Sequence, residues 1–598
     1  FGDVVNWDML PEAAVGSMLL VPGSNPLYGL NTLGGALALT SKSGRSHPGV
    51  EAEFSASESG QCRFDLTFGK RFDSWHALVA ATAFDDAGWR DHSAGKVGNM
   101  FFKVGHARGD TEWSVAVLGG QSRLRGNGLL PDGLYEGNRR AAYTFPDETR
   151  NRLAQATFNL RQGLDGGAEL SATAYTRNSR RDTVNGDASD VIAEAILNTT
   201  TTRQRSEGAA LDWSVEKGKH QLAIGATIDR NRVSFAQFEQ AASFTSDRGV
   251  VADSSAEREP ASSVTGAARM LGVYASDTWT LRPGSNLTLS ARFNHARVDN
   301  TLTNDSGQQA PETFTYRKLN PAIGFAQQVG GATVFANVAQ SNRVPTVIEL
   351  GCADPTQPCR LPVGLQSDPF LEQVVARTIE AGLRWHAGDA ALSASLYRTA
   401  NRNDILFLSA GSTQQGYFSN FARTLHQGVD LAASKRFGKL DARVSYNYLE
   451  AVFDADGQLF TGARDVSITR GTRIAGLPRH TFKFGLDWKP SPALNIGVDA
   501  QAISSLVTQG NEDGAHPDWG IRGYGVLNLR ASYRLDAHWE LFARVTNVGD
   551  RRYESYGAVA TDLFPHGRQA TQQGDAQHAR FVAPGAPRSM AAGIRANF

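Results

Sequence analysis

The 598-residue sequence has no apolar run long enough to cross a bilayer as a helix. Its longest such runs, residues 15–21 among them, fall far short of the ~20 residues that a membrane helix needs. It has no net charge, with 60 basic residues against 60 acidic ones, which argues against a nucleic-acid partner. Sulfur is scarce, with three Cys and five Met. Few Met and no His cluster argue against a copper site. There is no Walker loop, no zinc-protease helix and no nucleophile elbow. Gly126-Asn127-Gly128 is a glycine cluster without the strand–helix context of a nucleotide site. No catalytic constellation, metal site or cofactor is therefore expected, and the chain does not read as an enzyme. A signal peptide is also missing, and the chain opens on Phe1 instead of Met, so its N-terminus is expected to be cut.

Two of the cysteines, Cys352 and Cys359, sit in a Pro-rich polar loop. A short-range disulfide between them fits an oxidising compartment, with two free thiols as the alternative. A lone pair at this spacing lacks the further ligands of a zinc site. The third, Cys62, shares the apolar parity of Phe64, Leu66 and Phe68, where a neutral thiol can face lipid.

What the sequence has in abundance is alternation with a period of two. Phe482, Phe484, Leu486 and Trp488 alternate with Lys483, Gly485, Asp487 and Lys489. Leu527, Leu529, Ala531, Tyr533 and Leu535 alternate with Asn528, Arg530, Ser532 and Arg534. The same pattern runs over 50–57 and 589–598. Strands place successive side chains on opposite faces, so each has one apolar and one polar face. The length would suggest roughly three or four soluble domains, but no linker interrupts the pattern.

A soluble sandwich would alternate too. Two features favour a barrel in lipid. The polar face carries full charges on strand after strand, as a wet lumen would allow. The connections also alternate in length. Short turns recur at 71–74, 108–110, 216–219, 282–285, 330–331, 386–389, 436–439 and 535–538. Long segments lie between them at 123–149, 180–200, 235–265, 343–373, 454–477 and 551–587. Outer-membrane barrels have short periplasmic turns and long external loops. The expectation is an all-β chain with a 22-stranded antiparallel transmembrane barrel from about residue 50. Phe598 falls on the outward face of the last strand, like the terminal aromatic read by the outer-membrane assembly machinery.

Residues 22–42, with Gly23, Tyr28-Gly29, Gly34-Gly35 and a strand ending near Thr40 and Lys42, resemble the end of the plug domain of TonB-dependent outer-membrane receptors. Three later stretches resemble the same family's barrel. They are Asn342-Arg343-Val344-Pro345-Thr346 with Glu349-Leu350, the strand 377–384 with Glu380 and Gly382, and Val545-Thr546-Asn547-Val548-Gly549-Asp550 with Tyr553. The resemblance implies residues 1–47 as the C-terminal end of a plug and 48–598 as the barrel. The family's signal peptide, TonB-pairing segment and most of the plug have no counterpart ahead of Phe1, which reads as truncation.

The family reading implies a monomer in the outer membrane of a Gram-negative bacterium, importing a nutrient with energy from the TonB–ExbB–ExbD complex. A ferric siderophore is the expected ligand. Cobalamin, an oligosaccharide or a passive diffusion pore are the alternatives, and a soluble β-sheet enzyme is a further one. Candidate ligand contacts are Asn25 and Tyr28 at the plug tip, Arg123, Arg125, Arg139, Arg140 and Tyr143 in the loop 123–149, and Arg180 and Arg181 at the start of the next loop. Arginines suit an anionic ferric chelate through charge-assisted hydrogen bonds. They equally suit lipopolysaccharide phosphates, or plain solvation. Arg343-Val-Pro-Thr with Asp368-Pro369-Phe370-Leu371 resembles the paired boxes of haem receptors, but no His lies between them, which puts haem in doubt.

Overall fold

The computed structural model describes residues 6–23, 29–189, 193–304, 307–351, 359–360, 371–410, 415–460, 464–572 and 574–598. Among them, 22 antiparallel strands close into one barrel. The first, Gly49–Ser57, pairs with the last, Ser589–Asn597, and the backbone of Val50 exchanges both hydrogen bonds with Phe598 at 2.8 Å. Closure leaves no free edge, so every spanning strand is paired on both sides, as a bilayer interior demands.

The expected parity holds around the wall. Phe54, Phe64, Met100, Phe158, Leu211, Ile228, Leu271, Leu319, Leu396, Leu529 and Met590 all face outward and exposed. Their neighbours in sequence point into the lumen and pair there. Arg530 bridges Asp487 at 2.6 Å and Asp499 at 2.9 Å, and Arg443 meets the same Asp487 at 2.6 Å. Arg595 reaches Glu53 at 2.6 Å and Glu540 at 3.1 Å. Such ladders let charged residues fill an inner wall without isolated charges. At the short-turn end, Phe72, Trp75, Trp279, Trp385, Phe437, Trp488 and Trp539 form an exposed aromatic girdle. Phe598 joins it, stacked on the His538 ring at 4.9 Å. Amphipathic rings favour that interfacial depth.

The expected short turns all join adjacent strands, and 165–167 and 489–493 add two more. Gly109, Gly218, Gly330, Gly388 and Gly438 each take a positive φ in these tight connections, where a side chain would be strained. The long-loop end differs from expectation in two places. The segment 180–200 belongs mostly to the paired strands Ala168–Ala188 and Ala195–Lys217, and 235–265 largely to His220–Phe244 and Glu259–Arg282. These strands have 21 to 25 residues, about twice what the bilayer needs. They keep pairing beyond it because each backbone hydrogen bond is satisfied by a neighbour of equal length. The expected disulfide falls on Cys352 and the side chain of Cys359, which lie outside the described residues.

Candidate functional site: the lumen and its outer mouth

Residues 6–23 and 29–42 lie inside the barrel. A two-stranded hairpin, Val15–Pro22 with Gly35–Ser41, forms their core. The inward polar faces hold this segment on opposite sides. On one side, Asp8 accepts hydrogen bonds from the Ser122 hydroxyl and from Asn151 Nδ2 at 2.9 Å, while Asn99 donates to its backbone oxygen at 3.2 Å. Arg181 donates to Asn6, Arg63 pairs with Glu12 at 2.7 Å, and Thr67 donates to the Ala13 backbone at 3.1 Å. On the other side, the Asn31 N–H donates to the Asn342 carbonyl at 3.0 Å.

Asn342 opens the Asn-Arg-Val-Pro-Thr stretch, and the structure gives each of its parts a task. The Asn342 side chain accepts from Asn294 at 2.9 Å and Asn320 at 2.8 Å and donates to Gln373 at 2.9 Å, all among buried or half-buried partners. Thr346 caps the short helix Val347–Leu350 by accepting from the Glu349 N–H, and the Glu349 carboxylate accepts from the Thr346 N–H, a reciprocal box that satisfies two orphan helix donors. Arg343 pairs with Glu349. Val347, Ile348 and Leu350 then pack on inward residues Phe235, Val264, Val298 and Tyr316. The loop thus folds into the lumen and narrows it beside the luminal segment.

At the mouth, strands Glu554–Asp562 and Gln577–Pro584 pair and add residues 130–131 as a third strand. Arg580 ties this sheet together, bridging Asp132 at 2.8 Å and Glu554 at 3.2 Å and donating to the Gly520 carbonyl at 2.9 Å. Burial raises the Tyr135 phenol, helped by Glu554, while Arg139, Arg552 and Arg580 pull it the other way. Burial likewise pushes the Glu554 carboxyl up, opposed by Arg580 and Arg522. Arg139 lies over the Trp89 ring at 5.6 Å, a cation–π contact. Its Nη1 is buried without a hydrogen-bond partner among the described residues.

The candidate ligand residues are therefore dispersed. Arg123, Arg125 and Arg180 sit on the outward face of their strands, on the parity of Val117, Phe158 and Leu211. Arg123 and Arg125 share Glu148, at 2.8 and 3.4 Å, and Arg180 pairs with Asp182 at 2.8 Å. Arg181 points the opposite way, into the lumen. Arg140 approaches Asp91 at 3.9 Å. Tyr143 is packed between Phe564 and Phe581, donates to Asp562 at 3.0 Å and accepts from the Leu563 N–H at 2.6 Å. Asn25 and Tyr28 lie outside the described residues. Sequence reasoning missed Asp8 and Arg580, and named Asn342 within a family stretch without giving it a role. Only Asn342 carried a signal, through the stretch it opens.

Residues 63–548 match the family model described as TonB dependent receptor-like, beta-barrel. The chain belongs to the TonB-dependent receptor family. It is an outer-membrane barrel of the Gram-negative type, and the family's members are transporters that import small ligands with TonB-dependent energy. Among solved structures, it is similar to the siderophore receptor PiuA from Acinetobacter baumannii, at 15% identity and a TM-score of 0.76, covering 98% of this chain and 86% of that one. The ferric yersiniabactin uptake receptor FyuA from Yersinia pestis follows at 16% identity and a TM-score of 0.75, covering 98% and 85%. The copper transporter OprC matches at 15% identity and a TM-score of 0.73, covering 98% and 86%. At such identities the likeness shows the fold of the receptor, not its ligand.

Proposed function

We propose that this receptor imports an anionic ferric siderophore, and that residues 1–47 form the closing end of its plug. The basic and aromatic cluster at the mouth, Arg139, Arg522, Arg552 and Arg580 around Tyr135, supports the first point. Three loops converge there, and guanidinium groups half-buried at Arg139 and Arg580 and exposed at Arg522 and Arg552 favour a multiply charged oxygen-rich ligand. PiuA and FyuA, which share the architecture, are named for siderophore uptake. The plug reading is supported by the luminal position of residues 6–23 and 29–42 and by their hydrogen bonds to opposite walls. A passive pore would have no use for those contacts.

The test uses the full-length receptor in its own cells. Iron starvation should strongly induce the protein, and deleting its gene or the TonB gene should abolish uptake of radiolabelled iron from one chelate class. Purified receptor should bind that ferric chelate and discriminate against its iron-free form. Absence of binding to catecholate, hydroxamate and phenolate ferric chelates, with tight binding of cobalamin or an oligosaccharide, would replace the siderophore while leaving the receptor in place.

A further inference from the structure

One acid breaks the lower half of the lipid-facing belt. Asp277 stands two positions above Trp279 of the aromatic girdle on the same outward face, about 7 Å along the strand. Its cross-strand neighbours on that face are Leu222 and Leu289. Among the described residues, no other acid takes the outward parity between the girdle and the middle of the belt. Lys70 and Lys435 lie at the same level on other strands, over Phe72 and Phe437, but a long stem carries a lysine charge back to the interface. Asp277 has no such reach, and an ionisable group facing lipid is costly without a partner. His220 supplies part of one. Its Nδ1 lies 2.8 Å from Asp277 Oδ2, and its ring stacks on Trp279 with the centroids 5.7 Å apart. A carboxylate has about four acceptor sites, and Asp277 Oδ1 meets no donor among the described residues. A third of the side chain, 33%, stays open towards the lipid.

Directly above Asp277 the wall is hollowed. Ala275, Ala291 and Pro321 stand opposite one another on three successive strands and share the outward face. Larger exposed side chains bound this row, with Phe293 and Leu319 above it and Leu289 and Ile323 below. The result is a groove of about 780 Å3 in the lipid-facing wall, with Asp277 at its lower rim. Gln340 closes the far end, donating to the Leu319 carbonyl at 2.9 Å and accepting from Arg377 at 3.0 Å. The strand spacing makes the floor about 10 Å long. Only one row is small, so the slot suits a single hydrocarbon chain and not a helix about 10–12 Å across.

We infer that Asp277 and this groove form a binding site for a phospholipid with a primary-amine headgroup, its ammonium on the carboxylate and one acyl chain along the row of small residues. An ammonium would give Asp277 the charge-assisted hydrogen bonds that His220 alone leaves unmade. The Trp279 ring beside it attracts a cation as well. The site lies towards the short turns, which places it in the periplasmic leaflet. A headgroup without N–H donors of this kind brings nothing to Asp277, so the carboxylate sets the preference while the groove supplies apolar contact to any acyl chain. The inference stands on the barrel's place in the membrane and is independent of which nutrient the receptor imports.

The experiment titrates delipidated full-length receptor in detergent with phosphatidylethanolamine, its N-acetylated form and phosphatidylglycerol, all with the same acyl chains, and counts bound lipid by native mass spectrometry. The wild type should hold one phosphatidylethanolamine at least ~10-fold more tightly than either of the other two. D277N should lower that affinity by about 10-fold, to the level of phosphatidylglycerol, while D277E keeps most of it. A291F, which fills the groove, should weaken all three lipids alike. Heat-modified gel mobility checks that each variant is folded, and if D277N does not fold, A291F with the lipid series carries the test. Ferric chelate binding should be unchanged in all of them, which separates this site from the transport path. Equal binding of phosphatidylethanolamine and phosphatidylglycerol by the wild type, or undiminished phosphatidylethanolamine binding by D277N or A291F, would overturn the assignment. So would a wild-type dimer without bound lipid that A291F dissociates in light scattering, since the groove would then belong to a second copy of the chain.

Discussion

The barrel wall has two unlike arcs. From Thr111–Arg125 to Gln415–Phe437 many strands are long, up to the 25 residues of His220–Phe244, and their outward faces end in arginine. From Leu440–Phe453 through Ser589–Asn597 to Gln61–Phe72 the strands have 8 to 14 residues. Their outward parity holds no arginine, and its upper end is aromatic with a single acid, Glu450, and with the Tyr446 hydroxyl 2.8 Å from His480 Nδ1. The apolar belt between the two ends is alike in both arcs. Membrane thickness fixes only the middle of each strand, and what lies above it can specialise. The tall arc carries charge on its outer wall above the belt. The short arc stops at the interface and passes its outer boundary to folded loops.

Substitutions in the belt should not distinguish the arcs. Leu529→Arg on the short arc and Leu211→Arg on the tall one should each lose roughly 2–4 kcal/mol, because a cation near the midplane is expensive wherever it stands on the wall. Urea unfolding in lipid vesicles, read by gel mobility, measures this. Arg530→Leu should lose much less, since Asp487 keeps Arg443. Equal losses for Leu529→Arg and Arg530→Leu would mean that the two faces are exchanged. The lumen is the next place to separate the arcs. Asp8→Ala removes the acceptor of two side-chain hydrogen bonds from the tall arc, worth roughly 1–3 kcal/mol where burial leaves donors unpaired. Hydrogen exchange should quicken over residues 6–14, while the Asn31–Asn342 contact across the lumen keeps its protection. Unchanged exchange would show that the tall arc does not hold this segment.

Much of this architecture was legible because period two is a strong signal and short turns punctuate it. Parity at Leu529 and Arg530, the eight expected turns and the number of strands all rest on that one property. Loops were less legible. Arg180 and Arg181 were read as a pair at a loop entrance, yet both lie on Ala168–Ala188, and adjacent residues on a strand face opposite ways. Their alternation had been hidden by a boundary, since no turn residue announces where a strand leaves the membrane but keeps its partner. Asp8 and Arg580 were invisible for a different reason. Their partners lie at separations of 143 and 448 residues, which no local pattern encodes.

The smaller effects belong above the belt. Glu148 serves Arg123, Arg125 and Arg150 at once, at 2.8, 3.4 and 2.6 Å. Glu148→Gln, which leaves three guanidinium groups without their shared buried acid, should therefore lose roughly 1–2 kcal/mol, read in the same urea unfolding, with a smaller loss at high salt. A smaller loss is expected from Glu450→Gln, at the acid on the outward parity of the short arc, whose guanidinium neighbour Arg479 stands 3.9 Å away.

Tyr143→Phe should give the smallest effect, because the ring keeps its packing on Phe564 and Phe581 and only the hydroxyl is lost. Burial beside Asp562 holds this phenol well above its ordinary pKa, so it remains a protonated donor throughout the physiological range. Its removal should loosen the outer loop sheet by about 1 kcal/mol. Limited proteolysis should then cut 547–588 faster, to the same degree at about pH 6 and about pH 9, with barrel mobility on gels unchanged. Faster unfolding of the whole barrel would instead mean that the loops over the short arc brace the wall as well as close it.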